Sequence, residues 1–146
     1  MESRKIYSYS SIDHCQIIDL PKILDIRGNL TFIESGKHVP FDIKRIFYLY
    51  DVPTGKSRGA HAHLNLKQFI ICLSGSFDVK VDDGVKKKTI HLNRPWQGLL
   101  IPPMIWASEA NFDPGSVCLV AVSDFYNERD YLRNYDEFLR IVNSKK

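Results

Sequence analysis

Two histidines separated by one alanine, His61 and His63, lie in the stretch Arg58-Gly59-Ala60-His61-Ala62-His63. Successive side chains of an extended segment alternate sides, so this spacing turns both imidazoles to one face. A paired imidazole has three ordinary uses. It ligates a metal, it takes and returns protons around a pKa of about 6.5, or it is a satisfied polar residue of the core. Arg58 just before the pair and Gln68 five residues after it favour a polar cavity over simple core filling.

Cationic side chains give a second chemical clue. Arg27 lies in a turn before an extended run, and Lys44 and Arg45 open the next one. Scattered, each is a solvated charge. Converging at one opening, they would neutralise a diphosphate through charge-assisted, often bidentate bonds. Aromatic residues are plentiful nearby, among them Phe47, Tyr48, Tyr50, Trp96 and Trp106; most suit a core, and one or two suit stacking on a nucleobase. There is no Walker loop and no Gly-x-Gly-x-x-Gly fingerprint, so the sequence gives no support for ATP or nicotinamide chemistry.

The elements that must position these groups read as short strands. Candidate runs are 16–18, 30–34, 43–50, 68–73, 77–81, 88–92, 99–101 and 117–123, separated by Gly, Pro, Asn and Asp. Closely spaced runs of this kind indicate an all-β sandwich or barrel. Only the C-terminus differs: Tyr131, Leu132, Tyr135, Phe138, Leu139 and Val142 recur at helical spacing, with Asn127 or Asp130 as N-cap. That helix is expected to pack on the outside of the β-structure or on a second subunit.

Bulk properties narrow the class. The chain has 146 residues, 44% of them apolar and 25% charged, which suits one soluble globular domain over its whole length. The formal charge of +3 is mild, and the Lys86-Lys87-Lys88 triplet beside a turn reads as a solvated edge. A polynucleotide asks for a basic stripe, so a small anionic ligand is the better fit. No segment approaches the roughly 20 apolar residues of a membrane span, and the first twenty residues lack the pattern of a signal peptide. Three distant cysteines, Cys15, Cys72 and Cys118, argue against a disulfide framework and for a reducing compartment, with the cytoplasm expected.

Counting from Gly55, five residues precede His61, one separates it from His63, four lead to Gln68 and six more reach Gly75. This spacing resembles the first motif of the cupin superfamily, and Pro102 and Asn111 fit the ends of the second. The resemblance implies a jelly-roll barrel with the histidines facing its interior. Metal-bearing cupins place a glutamate where this chain has Gln68 and a third histidine where it has Ala107. Two imidazoles alone fall short of the three or four protein ligands of a usual divalent site, so no metal and no cofactor are expected.

Within the cupins the sequence resembles the dTDP-4-oxo-6-deoxyglucose 3,4-ketoisomerases. The likeness rests on Asp25-x-Arg27-Gly28-x-Leu30, Pro40-Phe41-x-Ile43-Lys44-Arg45, the Arg58-Gly59-x-His61-Ala62-His63 core, Gln68, Asp82-Asp83-Gly84, Ala121-x-Ser123-Asp124-x-Tyr126 and Asp130-Tyr131. The resemblance implies a thymidine diphosphate 4-keto-6-deoxy sugar as substrate and His61 as principal base with His63 as its partner. It implies Arg27, Lys44, Arg45, Tyr48, Arg58 and Gln68 as substrate-binding residues. It also implies a homodimer that exchanges N-terminal strands, and a product destined for 3-amino-3,6-dideoxyhexoses of a surface glycan. The competing readings are a metal-dependent cupin enzyme, a non-catalytic sugar-nucleotide-binding cupin and a deoxysugar 3,5-epimerase.

Overall fold

In Phe77-Asp78-Val79-Lys80-Val81 every second side chain is buried and the ones between face outward. This period of two is what a strand with one wet face requires, and it recurs along the chain. A computed structural model describes residues 10–144. It contains β1 (Gln16–Asp19), β2 (Lys22–Ile23), β3 (Leu30–Thr31), β4 (Arg45–Leu49), β5 (Arg58–His63), β6 (Gln68–Ser74) and β7 (Phe77–Asp82). There follow β8 (Lys87–Leu92), β9 (Gln97–Ile101), β10 (Trp106–Ala110), β11 (Val117–Val122), β12 (Tyr131–Leu132) and the helix α1 (Tyr135–Asn143).

Ten of these strands form two facing antiparallel sheets, in the orders β1-β9-β6-β11-β4 and β12-β5-β10-β7-β8; β2 and β3 make a separate hairpin. This is the jelly-roll arrangement expected. The main core lies between the sheets, where Ile70 and Cys72 of β6 and Val120 of β11 meet Phe77, Val79 and Val81 of β7. On the outer face of the first sheet, Phe69, Ile71 and Ala121 are covered by Leu20, Val39 and Phe41. Cys15, Cys72 and Cys118 are all free.

Each expected run contains a strand, but two elements differ. Leu30–Thr31 is a two-residue strand rather than a five-residue one, because it pairs only with the short β2. The C-terminal helix begins at Tyr135, capped by the Asn134 side chain, which accepts from the Glu137 backbone amide. Tyr131 and Leu132 form β12 instead, antiparallel to His63 and Ala62 of β5. Asn127 caps a short 3-10 turn, Glu128–Asp130, and Asp130 caps nothing. The helical spacing of Tyr131 and Leu132 with the later residues arises because strand and helix both face the same apolar layer. Leu132, Phe138 and Val142 close over Ala62 and Met104 on the outside of the second sheet. Full burial of Phe138 and Val142 is worth about 1.5–3 kcal/mol each relative to exposure.

Candidate active site

The strand carrying the histidines is distorted in a way that matters. His61 pairs with Ala107 of β10, Gly59 pairs with Ser108, and Ala60 has no opposite residue, which is a β-bulge. Gly59 and Ala60 both have positive φ, 83° and 65°. Glycine is needed at 59 for a second reason: a Cβ there would stand 2.6 Å from Glu109 Oε2. Beyond the bulge, His61 and His63 lie side by side with ring centroids 4.9 Å apart and planes nearly perpendicular. Tyr131 of β12 packs edge-on against both rings, at 4.9 and 4.4 Å.

His61 lines a cavity of about 640 Å³ between the sheets, whereas His63 sits behind it, almost fully buried. The two imidazoles are held in different states. His63 donates its Nδ1–H to Asp130 Oδ2 at 3.0 Å, and Asp130 Oδ1 accepts from the Asn65 backbone amide at 2.8 Å. An ionised carboxylate only accepts, so this bond fixes His63 Nδ1 as a donor. His61 Nδ1 is buried without a hydrogen-bond partner. Burial, then the neighbouring His63 and Arg133 charges, push the His61 pKa down to about 4, so its ring is neutral near pH 7.

Arg45, Arg58, Arg133, Gln68 and Tyr48 also line the cavity. Arg45 points inward with Phe47 and Leu49, by the alternation of β4, and its buried Nε has no partner while its Nη2 donates to the Tyr131 hydroxyl at 3.4 Å. Arg133 is held over the Tyr131 ring, 4.4 Å from its centroid, by a two-bond pairing with Glu128. Tyr48 is 60% exposed and has the outward parity of β4, opposite to Arg45, so it reaches the opening only at its rim. The opening therefore presents three guanidinium groups above a neutral imidazole, a layout suited to an anionic ligand whose reacting part lies deep.

Two expected binding residues are not brought to this cavity by their own chain. Lys44 is exposed and, one residue before Arg45, has the opposite parity, so its side chain leaves the sheet on the other face. Arg27 lies in the turn between β2 and β3, where it is paired with Asp25 at 2.9 Å. Four residues of the site went unassigned as site residues from sequence. Asp130, Tyr131 and Arg133 were hidden in an apparent helix start, and Glu109 occurs in the mixed run Ala107-Ser108-Glu109-Ala110. Glu109 is 7% exposed, and its inward parity with Ala107 was the one available signal. Among the described residues no three His, Cys, Asp or Glu side chains converge to hold a metal ion.

Comparison with known proteins shows the family of the chain. The model of the WxcM-like, C-terminal (FdtA) family matches residues 13–143. The TDP-4-oxo-6-deoxy-alpha-D-glucose-3,4-oxoisomerase of Aneurinibacillus thermoaerophilus is 41% identical over 127 residues, 87% of this chain and 91% of that one. The WlaRB TDP-quinovose 3,4-ketoisomerase of Campylobacter jejuni is 48% identical, covering 88% of this chain and 99% of that one, with a TM-score of 0.84. A histidine-to-asparagine mutant of the 3,4-ketoisomerase QdtA of Thermoanaerobacterium thermosaccharolyticum, in complex with TDP-4-keto-6-deoxyglucose, superposes with a TM-score of 0.88. It is 38% identical and covers 90% of this chain and 95% of that one. These relatives define the class of the jelly roll and its polar cavity, an isomerase. Within that class the chain belongs to the WxcM-like, C-terminal family of sugar-nucleotide 3,4-ketoisomerases.

Proposed function

We propose that this protein converts dTDP-4-oxo-6-deoxy-D-glucose to a dTDP-3-oxo-6-deoxyhexose through an enediol. The ketone at C4 acidifies the hydrogen on C3. His61 removes that hydrogen, and its return to C4 leaves the ketone on C3. Hydrogen is redistributed within one molecule, so the reaction consumes no external oxidant or reductant. The observation that carries the reading is the neutral His61 imidazole lining the cavity. A base must be unprotonated to act, and burial beside a second imidazole keeps it so. His63, oriented by Asp130, supports that ring, and Arg45 and Arg58 take the diphosphate while Gln68 and Tyr48 contact the sugar and the rest of the nucleotide.

A homodimer fits the remaining surface. The β2–β3 hairpin exposes Leu24, Ile26 and Leu30, with Ile26 fully exposed, and Ile46 and Leu73 are bare on the outer face of the first sheet. Exchange of N-terminal strands would cover this apolar surface. It would also carry Arg27, at the hairpin turn, to the partner's cavity, while Lys44 adds positive charge outside the opening. The domain comprises the whole of residues 1–146 and works in the cytoplasm, where its product is aminated for a surface glycan. No helix among the described residues is long and apolar enough to cross a membrane.

The test is incubation with dTDP-4-oxo-6-deoxyglucose in deuterated water, followed by NMR. The expected result is migration of the ketone from C4 to C3 with solvent deuterium entering the sugar. Bound but unaltered sugar, with no deuterium entering, overturns the assignment in favour of a binding protein. Inversion at C3 and C5 with the ketone still on C4 overturns it in favour of an epimerase.

A further inference from the structure

The second sheet has an outer face as well as an inner one, and part of it is open. Beside the start of α1 lies a groove of about 490 Å³, lined by Lys80, Lys87, Thr89, Trp106, Ser108 and Tyr135. Its volume is that of a small-ligand site, about 300–1,000 Å³. Strand register sets these side chains in rows. Val79 and Val81 are buried, so alternation turns Lys80 outward between them. Ser108 pairs with Lys80 and Lys80 with Thr89, so a hydroxyl, an ammonium and a second hydroxyl stand in line across three strands. Neighbouring strands lie about 4.8 Å apart. The next outward row, two residues along, is Trp106, Asp82 and Lys87.

Each row has its own chemistry. The first offers two hydroxyl donors around one positive charge, which suits the oxygens of a phosphate. Among the described residues neither Lys80 nor Lys87 has a carboxylate within ion-pair distance. The acid of the groove, Asp82, is buried and engaged elsewhere: its Oδ1 accepts from the Gly84 backbone amide at 2.7 Å and its Oδ2 from the Tyr135 hydroxyl at 2.5 Å. The second row ends in an aromatic wall. Trp106 and Tyr135 meet edge to face with centroids 5.2 Å apart, and Lys87 Nζ lies 6.0 Å from the Tyr135 centroid. Flat rings such as nucleobases stack on a wall of this kind.

We propose that this groove is a second ligand site, for a nucleoside diphosphate, separate from the cavity that holds His61. The phosphates lie on Ser108, Lys80 and Thr89 with Lys87 beside them, and the base lies against Trp106 and Tyr135. The rows are two residues apart along the strands, about 7 Å, which matches the reach from base to phosphate across a ribose. Orthophosphate would use one row only; a nucleotide uses both. The two sites lie on opposite faces of β10. Trp106 and Ser108 face the groove, and Ala107 between them is directly opposite His61 on the inner face. The groove rests on its own residues and does not depend on the reaction assigned to the cavity.

Trp106 supplies the reporter. The chain has two tryptophans, and Trp96→Phe leaves Trp106 as the sole one. Titration of that protein with dTDP and with ADP is expected to change its emission in a saturable way. Lys80→Glu combined with Lys87→Gln, both at exposed positions, should raise the half-saturating concentration by about tenfold or more, as loss of a charge-assisted bond does, and leave turnover unchanged. Thr89→Glu, which sets a carboxylate beside Lys80, should do the same from the edge strand. Calorimetry with dTDP is expected to find one equivalent more per chain in the unaltered protein than in the lysine variant. An emission change that persists in both variants overturns the proposal, because it then arises in the reaction cavity. A flat titration with both nucleotides overturns it too, as does an equal response to orthophosphate at the same concentrations. Absence of turnover in the unaltered protein with groove binding intact removes the isomerase assignment and leaves this site standing.

Discussion

Asp130 uses both oxygens of its carboxylate at once, one on the His63 ring nitrogen at 3.0 Å and the other on the Asn65 backbone amide at 2.8 Å. This double engagement makes Asp130→Asn a switch of tautomer rather than a simple loss. The amide oxygen is needed by the Asn65 N–H, so the amide NH₂ faces His63 and forces Nδ1 to accept. The proton then moves to Nε2. The variant is expected to fold and to lose on the order of 10–100-fold in turnover, the usual consequence of removing the orienting partner of a functional histidine. Nitrogen-15 spectra of the imidazoles report the tautomer, and an unchanged spectrum with unchanged turnover would remove Asp130 from the site.

Gly59→Ala tests the bulge. The added methyl meets Glu109 Oε2 at 2.6 Å and sits at φ 83°. A side chain in this left-handed region costs about 1–2 kcal/mol. Denaturant unfolding should register that loss, and turnover should fall with it as the bulge that positions His61 shifts. Stability and activity both at the original level would mean that the carboxyl does not occupy the space above Gly59.

Arg45→Lys separates charge from shape. The buried Nε of Arg45 has no partner in the protein, and leaving such a donor unsatisfied costs about 1–3 kcal/mol. On the proposed function a phosphate oxygen would take it, in a planar two-bond arrangement that an ammonium does not reproduce. Calorimetric titration with dTDP is expected to show affinity falling by about tenfold or more, in line with the loss of one such bond. Equal affinity in the lysine variant would assign the diphosphate to Arg58 and Arg133 alone.

His61 and Glu109 pull the stability of the protein in opposite directions with pH. The His61 pKa falls from 6.5 to about 4 on folding, so the unfolded chain binds a proton that the folded one refuses, and stability drops as pH falls from 6.5 towards 4. The Glu109 pKa rises from 4.5 to about 7, so the folded chain keeps a proton that the unfolded one releases, and stability drops as pH rises from 4.5 towards 7. Over the shared window the two trends offset each other. His61→Asn should therefore expose a loss of stability on going up this range, and Glu109→Gln a loss on going down. Thermal melts of both variants at several pH values check the signs.

The sheets were legible because alternation is a local property: Phe77, Val79 and Val81 declare an inward face without any other part of the chain. The histidine pair was legible for the same reason, since a spacing of two residues fixes relative direction on a strand. What escaped depended on distant pairing. Tyr131 and Leu132 carry the spacing of the helix that follows, yet the open edge of β5 captures them, and no local pattern encodes that edge. Lys44 and Arg45 look equivalent side by side in sequence, and only the sheet decides which of them turns inward. Glu109 gave little sign because a carboxyl in a mixed polar run acquires its character from burial beneath two sheets.

The edge of β5 is closed by the last strand to be made, β12, whose Tyr131 is one wall of the histidine pair. A nascent chain emerging from the ribosome therefore holds both imidazoles, the bulge and most of both sheets well before it holds a finished reaction chamber. Chains cut short near residue 126 would present a raw strand edge and two wet rings in place of a base. The site is thus shut only once residues 131 and 132 have been made and have paired with β5.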